Sequence, residues 1–470
     1  MNVPGKVSYL FIAALLLAEM TSAIELTMIF TALPTLSREF GNSPMLGWVA
    51  TASLLTSAIA SALCGRLGDL HGRRLILLIV LCFAVIGSLI SGFSTSLGGV
   101  IIGTSFQGVA GALLPLCVAL VRERCSPEQT PFIVGLVLGS AGFAAGLGLI
   151  AGGYLTDSFG WQSIFFFSAA SAVVSIIGVL LFIAPNAPRP MISRGKINYF
   201  AGVLYAPGIA CLLLVITKGS SWGWSDPRTL LFSLLSVLIL TYWVRHQLRE
   251  ETPLINLRLL ANHRVSIVFL SIILFALGPA QHTLLMSRFL QQPTFTLVGM
   301  GMTAALAGLT MMPVRIFGIT AAPIGGMLCS KIGPRLVLIA GAAVVFVGWA
   351  IITIGLHDLK LVFAGMILEG WGFQLIYVGF PNALIKAVSE DITGEVTGLS
   401  QVVKMIALAC GAQIIMVLLS NSGASGPGVE SFPSLLNYRI VFVYILIATA
   451  LSGLAAAALP RDKIIAKGSV

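Results

Sequence analysis

Charge is what this chain has least of: Asp, Glu, Lys and Arg make up 9% of its 470 residues, where an average soluble domain carries roughly 25%. With 57% of the residues hydrophobic, a water-soluble fold would have far more apolar surface than it can bury, and soluble classes are excluded. Long polar stretches are missing as well. Without them there is no separate domain in which a Ser/His/Asp triad or a metal cluster can be assembled, so enzyme activity is not expected. The phosphate-cradling pattern G-x-x-x-x-G-K-[ST] is absent, which argues against ATP hydrolysis. The seven cysteines show no CxxC spacing and suggest neither a metal site nor a disulfide framework; no metal and no cofactor are expected. The net charge of +10 is spread singly and in pairs along the chain, which suits membrane topology better than a nucleic-acid partner.

What the chain has in abundance is apolar sequence and 50 glycines, the composition of packed membrane helices. Fourteen runs long enough to cross ~30 Å of hydrocarbon lie at about 7–36, 46–66, 74–94, 97–121, 132–155, 161–184, 198–217, 229–246, 265–288, 297–325, 335–356, 360–385, 397–420 and 438–459. The first exceeds the roughly 7–15 residues of a signal-peptide core and contains Glu19 and Glu25; it reads as a spanning helix. An even number of spans puts both termini on one side, and Lys and Arg decide which. Nineteen basic residues fall in segments on the side of the termini and five opposite, so the termini are expected in the cytoplasm. Arg288, Arg315 and Lys404 remain at membrane depth, where an ionisable group needs a reason.

Residues 65–74 (GRLGDLHGRR) and 326–335 (GMLCSKIGPR) share G-x-L-x4-G-x-R after an apolar run. The step from 65 to 326 is 261 residues, the mark of two homologous halves. The expected organisation is a six-helix bundle at 1–185, a linker with two inserted helices at 186–264, and a second six-helix bundle at 265–470. The stretch 185–198, rich in proline and basic residues, is the candidate linker.

Several segments carry a resemblance. Residues 25–34 (ELTMIFTALP) are similar to D-x-T-I-V-N-V-A-L-P, 107–111 (QGVAG) to the end of R-x-x-Q-G-x-G-A, and 161–165 (WQSIF) to W-R-W-I-F. Residues 253–260 (PLINLRLL) resemble P-L-L-D-L-R-L-F, and the glycines 142, 146, 148, 152 and 153 resemble a signature ending G-P-x-x-G-G. By these motifs and the 65–74 junction, the chain resembles the major facilitator superfamily, and within it the fourteen-spanner drug:proton antiporter family. The resemblance implies an all-α membrane protein of major facilitator fold, with two six-helix bundles, two inserted helices and about fourteen spans. It implies a multi-pass protein of the inner (plasma) membrane. It also implies a secondary active transporter, proton-coupled and exporting small amphipathic compounds. Its partners would be a small-molecule substrate, protons and the lipid bilayer.

The resemblance further implies that the junction gates opening, through Gly65, Asp69, Gly72 and Arg73, with Gly326, Gly333 and Arg335 in the second copy. The motif arginine of the fourth span is replaced by Thr104, which keeps an alternative open: a dedicated transporter of one metabolite, lipid or siderophore that does not use proton antiport. A non-transporting sensor is a third possibility, opposed by the intact Gly65, Asp69 and Gly72.

A carboxylate at membrane depth is costly unless protonated or paired, which suits it to carry a proton. Glu25 is the first candidate, with Thr21 and Ser22 on nearly the same face; Glu19 and Glu369 compete. Arg315, Lys404, Gln107, Trp371 and Tyr377, with Phe373, are expected to line the substrate cavity, and Arg315 and Glu369 form a candidate ion pair. Arg315 follows Pro313 by two residues, where a helix break would expose carbonyls. The glycines 142–146 and 148–152 are expected to form a close-packing face.

Overall fold

The computed structural model describes residues 8–40, 46–185, 199–250, 257–294, 298–302, 304–420 and 433–460. Most of the expected linker, at 186–198, lies outside them, as do 253–256 and the side chain of Arg315. Among the described residues all regular structure is helical, as a bilayer demands, because lipid offers no partner for a bare backbone N–H or C=O. The helices are α1 (Tyr9–Phe40), α2 (Leu46–His71), α3 (Arg73–Gly92), α4 (Leu97–Gln107), α5 (Leu113–Arg124), α6 (Thr130–Phe159), α7 (Gln162–Phe182), α8 (Tyr199–Trp222) and α9 (Pro227–Arg249). There follow α10 (His263–Leu277), α11 (His282–Gln291), α12 (Ala304–Ile332), α13 (Pro334–Ile354), α14 (Leu359–Ala387), α15 (Thr393–Ser420) and α16 (Leu435–Ala457). Among the described residues, twelve segments are long and apolar enough to cross a membrane. The 24-residue α8, whose apolar stretch is Leu204–Ile216, and the 29-residue α12 occupy the seventh and tenth expected runs.

The chain forms two compact units, one of Met1–Ala261 with Leu384–Val402, the other of Asn262–Ala383 with Val403–Val470. In the first, α1 packs on α6 and α7, and α3 packs on α4 and α7. Gly148 and Gly152 allow the α1–α6 approach: a Cβ on them would lie 2.1 Å from Thr27 Oγ1 and 2.5 Å from Thr31 Oγ1. The expected close-packing face is narrower than its spacing suggested, because Gly146 and Gly153 look into open space. The fourth run is interrupted by a 3-10 turn at Gly108–Ala112. There α2 comes so near that a Cβ on Gly108 would sit 2.4 Å from Ser53 O, and Ser61 Oγ donates to Gly111 O at 2.9 Å.

In the second unit α16 packs on α10 and α13, with Ser271 Oγ and Ser452 Oγ 3.0 Å apart at the α10–α16 seam. The first unit has a matching clasp between α1 and α7, Thr21 Oγ1 to Ser175 Oγ at 2.9 Å. Two expectations are corrected here. The ninth run, expected as one helix, breaks at Gly278 and passes through a 3-10 turn, Pro279–Gln281, before α11. The break expected at Pro313 does not occur, since α12 is continuous from Ala304 to Ile332. Carbonyls freed by the real break find donors, as membrane burial requires: Gln281 Nε2 donates to Ala276 O at 2.9 Å, and Tyr444 Oη to Leu277 O at 3.0 Å.

The repeat read from 65–74 and 326–335 continues beyond the junction. A Cβ on Gly87 would meet Gln107 N and Gly103 O, both at 2.6 Å; a Cβ on Gly348 would meet Glu369 N and Gly365 O, both at 2.7 Å. From 87 to 348 is again 261 residues, and from 107 to 369 is 262. Gln107 and Glu369 therefore hold equivalent places in the two halves.

Candidate functional site

Three constellations of polar groups lie within the apolar helices. At the first junction Gly72 takes φ 103°, a left-handed value that favours glycine, so the chain can turn from α2 into α3 and bring Arg73 back beneath Asp69. Arg73 is fully buried. Its Nε lies 3.0 Å and its Nη2 2.9 Å from Asp69 Oδ1. Its Nη1 donates to Ala119 O at 2.7 Å and to Glu123 Oε2 at 3.1 Å, and its Nη2 to Glu390 O at 2.6 Å.

The other oxygen of Asp69 accepts the Glu395 backbone N–H at 2.8 Å. This sets a carboxylate on the first turn of α15, where unpaired amides and the helix dipole favour negative charge. Arg66 pairs with Glu395 at 3.1 Å, and Arg122 donates to Thr393 Oγ1 at 2.6 Å and Val388 O at 2.6 Å. Backbones touch at this seam: a Cβ on Gly65 would lie 2.3 Å from Gly394 O. Gly65, Asp69, Gly72 and Arg73 thus come together as expected. Arg66, Arg122, Glu123 and Glu395 were missed, because their charges read equally well as ordinary cytoplasmic topology signals.

The second junction is simpler. Gly333 repeats the positive φ at 86°, Gly326 is buried, and Arg335 donates to Ala457 O through Nε at 3.2 Å and Nη2 at 2.8 Å. Arg74, its counterpart, donates to Leu180 O at 3.1 Å.

The second constellation surrounds α1. Glu19 and Glu25 are buried at 5% and 3% exposure, a cost only function or pairing would justify. Glu25 has Ser88 beside its carboxyl group, yet neither carboxyl oxygen forms a hydrogen bond among the described residues. Ser88 Oγ accepts from Gln107 Nε2 at 2.7 Å and keeps its own proton to donate. Thr21, expected to support Glu25, turns to Ser175 of α7, and the supporting hydroxyl comes from α3. Thr104 is buried and bonded to Ile101 O at 3.1 Å within its own helix.

The third lies in the second unit: a cavity of about 110 Å³ lined by His282, Thr283, Met311, Glu369, Phe373 and Gln374, among others. His282 Nδ1 is 2.8 Å from Glu369 Oε2, so the carboxylate's described partner is the histidine that opens α11, with Arg315's side chain outside the described residues. Below the cavity Phe373 stacks on Tyr377 at 5.9 Å and 19°. Lys404 Nζ lies 3.2 Å from Tyr377 Oη and 4.7 Å from its ring centroid. Of the residues expected to line one cavity, Phe373 does so, and Lys404 and Tyr377 meet each other outside its lining. Gln107 lies in the first unit beside Ser88, and Trp371, half-buried on α14, is not among the lining residues.

Apolar helices throughout, buried ionisable groups on several of them and a twice-repeated junction define a polytopic membrane transporter. The chain belongs to the Major Facilitator Superfamily, whose family model matches residues 15–412. It is 24% identical over 410 residues to the tetracenomycin C resistance and export protein of Streptomyces glaucescens, covering 86% of this chain and 74% of that one. It is 27% identical over 429 residues to the multidrug transporter protein MdtP of Bacillus subtilis (strain 168), covering 89% and 77%. Among solved structures, the human organic anion transporter MFSD10 shares the fold with a TM-score of 0.64 at 15% identity, covering 95% of this chain and 99% of that one.

Proposed function

We propose that this protein is a fourteen-span, proton-coupled exporter of small amphipathic compounds in the plasma membrane, with both termini cytoplasmic and Glu25 as the coupling carboxylate. The observation that carries the reading is Glu25 itself: a carboxyl group buried within a membrane span, with no ion-pair partner among the described residues, and with the Ser88 hydroxyl beside it, which accepts from Gln107 and keeps its own proton to offer. A hydroxyl can serve either protonation state of such a group, and alternating water access would let it load a proton outside and release it inside. The Glu369 oxygens also lack a hydrogen bond among the described residues, but a basic ring nitrogen, His282 Nδ1, stands 2.8 Å from one of them, which suits a structural or substrate-facing role better. The names of the relatives support export as the direction, and the helices α8 and α12 at the seventh and tenth expected runs support fourteen spans over the twelve found by length and apolarity among the described residues.

The test is pH-gradient-driven flux in proteoliposomes with substrate binding measured in parallel. Glu25→Gln keeps size but cannot exchange a proton; it is expected to abolish gradient-driven flux and leave substrate affinity within roughly twofold. Full coupled flux in Glu25→Gln, with loss in Glu19→Gln or Glu369→Gln, moves the role to that residue. The alternative of a dedicated transporter of one metabolite, lipid or siderophore without proton antiport is favoured by Thr104, whose hydroxyl is satisfied locally. It predicts flux that ignores the pH gradient in the wild type.

A further inference from the structure

One face of α14 carries Glu369, Phe373 and Tyr377 at i, i+4 and i+8, a spacing that puts all three on one side of a helix. The cavity covers the Glu369 end. Phe373 of the cavity's lining stacks on Tyr377 beyond it, and Lys404 of α15 lies over the Tyr377 ring. The two ends differ in how their charge is met. Glu369 has the His282 ring nitrogen at 2.8 Å, so a basic group already stands against its carboxylate. Lys404, midway along the apolar span Glu390–Leu419, has a phenol and a ring face but no carboxylate among the described residues. A phenol and a ring compensate an ammonium only partly, and at membrane depth that residue of charge asks for an anion. Tyr377 Oη accepts from Lys404 and keeps its own proton to donate, so the two groups together form a fork for an anionic oxygen.

From this geometry we infer that the Glu369–Phe373–Tyr377–Lys404 face selects elongated aromatic anions, held by an acidic group at Lys404 and Tyr377 and by a flat ring system over Phe373. The inference names a substrate class for the export reading and rests on that reading for direction. Eight residues of helix separate Glu369 from Tyr377, about 12 Å at ~1.5 Å per residue. That is roughly the length of a fused three- or four-ring skeleton with its substituents, and Gln374, whose buried Oε1 has no hydrogen-bond partner among the described residues, offers an acceptor near the carboxylate end. A cationic ring system meets the opposite situation, since the one carboxylate on this face is already paired and the far end repels it.

Fluorescein and rhodamine 6G share a three-ring xanthene and differ in charge, so they separate ring recognition from charge recognition. Binding to the purified full-length protein is read by fluorescence anisotropy, and export of each dye by flux in proteoliposomes. Lys404→Gln is expected to weaken fluorescein binding about tenfold, the effect of losing one charge-assisted hydrogen bond, and to leave rhodamine 6G binding unweakened. Lys404→Arg should retain fluorescein within roughly twofold, whereas Phe373→Leu should weaken both dyes. Equal loss of both dyes in Lys404→Gln, or unchanged fluorescein binding, overturns the inference. If Lys404→Gln does not fold, Tyr377→Phe decides: it removes the donated proton and should weaken fluorescein alone, and no change there is equally fatal. Export of rhodamine 6G without any binding of fluorescein overturns the inference and leaves the export reading intact. Lys404-dependent fluorescein binding without flux of either dye does the reverse.

Discussion

The two copies of the junction share a motif but not a chemistry. Both use a positive-φ glycine, Gly72 or Gly333, to start the next helix, and both end on an arginine that caps the last turn of another helix in the same half, Arg74 on α7 and Arg335 on α16. Cationic side chains at helix C-termini satisfy open carbonyls and meet the dipole favourably. These shared residues fold the turn. Of the two copies, the first is the one that reaches α15 among the described residues, through Asp69 and Arg66. At the place of Asp69 the second copy has Ser330, exposed and bonded to Met327 O in its own helix, and at the place of Arg73 it has Pro334. The contrast teaches that the repeated residues build the junction, while the unrepeated pair, Asp69 and Arg73, gives one copy a partner to hold.

The largest expected effect therefore comes from Asp69→Asn. The amide can still accept the Glu395 N–H but no longer balances the buried Arg73, and removing one partner of a buried pair costs about 3–5 kcal/mol when nothing replaces it; Glu123, at 3.1 Å, reduces that figure. Flux should fall by more than about tenfold, with substrate binding retained within roughly twofold. Ser330→Ala should transport normally. Wild-type flux in Asp69→Asn would make both copies plain turns and erase the comparison.

Gly72→Ala and Gly333→Ala sharpen the shared half of the argument. Each forces a side chain into a positive-φ conformation that glycine alone adopts readily, at a cost of about 1–3 kcal/mol, so the thermal unfolding temperature should drop in both by similar amounts. A loss confined to one copy would mean that the two turns are not built alike. Smaller still are Arg74→Gln and Arg335→Gln. Each removes hydrogen bonds to a helix end for a loss of at most about 1 kcal/mol, with flux preserved, and a transport defect in either would give the capping arginines a role beyond folding.

Much of this was legible because hydrocarbon imposes simple rules. Spans must be long and apolar, their ends are sorted by Lys and Arg, and the repeated G-x-L-x4-G-x-R needed only two glycines and an arginine to be found. The burial of Glu19, Glu25 and Glu369 followed from position alone. Pairing did not. His282 and Glu369 are far apart in sequence and meet because α10 breaks at Gly278, and hydropathy averaged over a run cannot register that break. Arg122 looked like a cytoplasmic topology charge and proved to bind Thr393 and Val388. Conversely, the five-glycine run on α6 promised more contact than it makes, since spacing gives the side of the helix but not the neighbour that fills it.

We propose that the seam between α2 and the first turns of α15, held by Asp69, Arg66 and Glu395, opens and recloses in each transport cycle. The direct measurement uses Arg66→Cys with Glu395→Cys in a cysteine-free background, joined by a short bis-methanethiosulfonate spacer across the position of their 3.1 Å ion pair. Flux is followed before joining, after joining and after reduction. The predicted result is loss of flux on cross-linking, full recovery on reduction, and no effect of the reagent on either single cysteine variant. Undiminished flux in fully cross-linked protein would contradict the claim and leave the seam a fixed part of the fold.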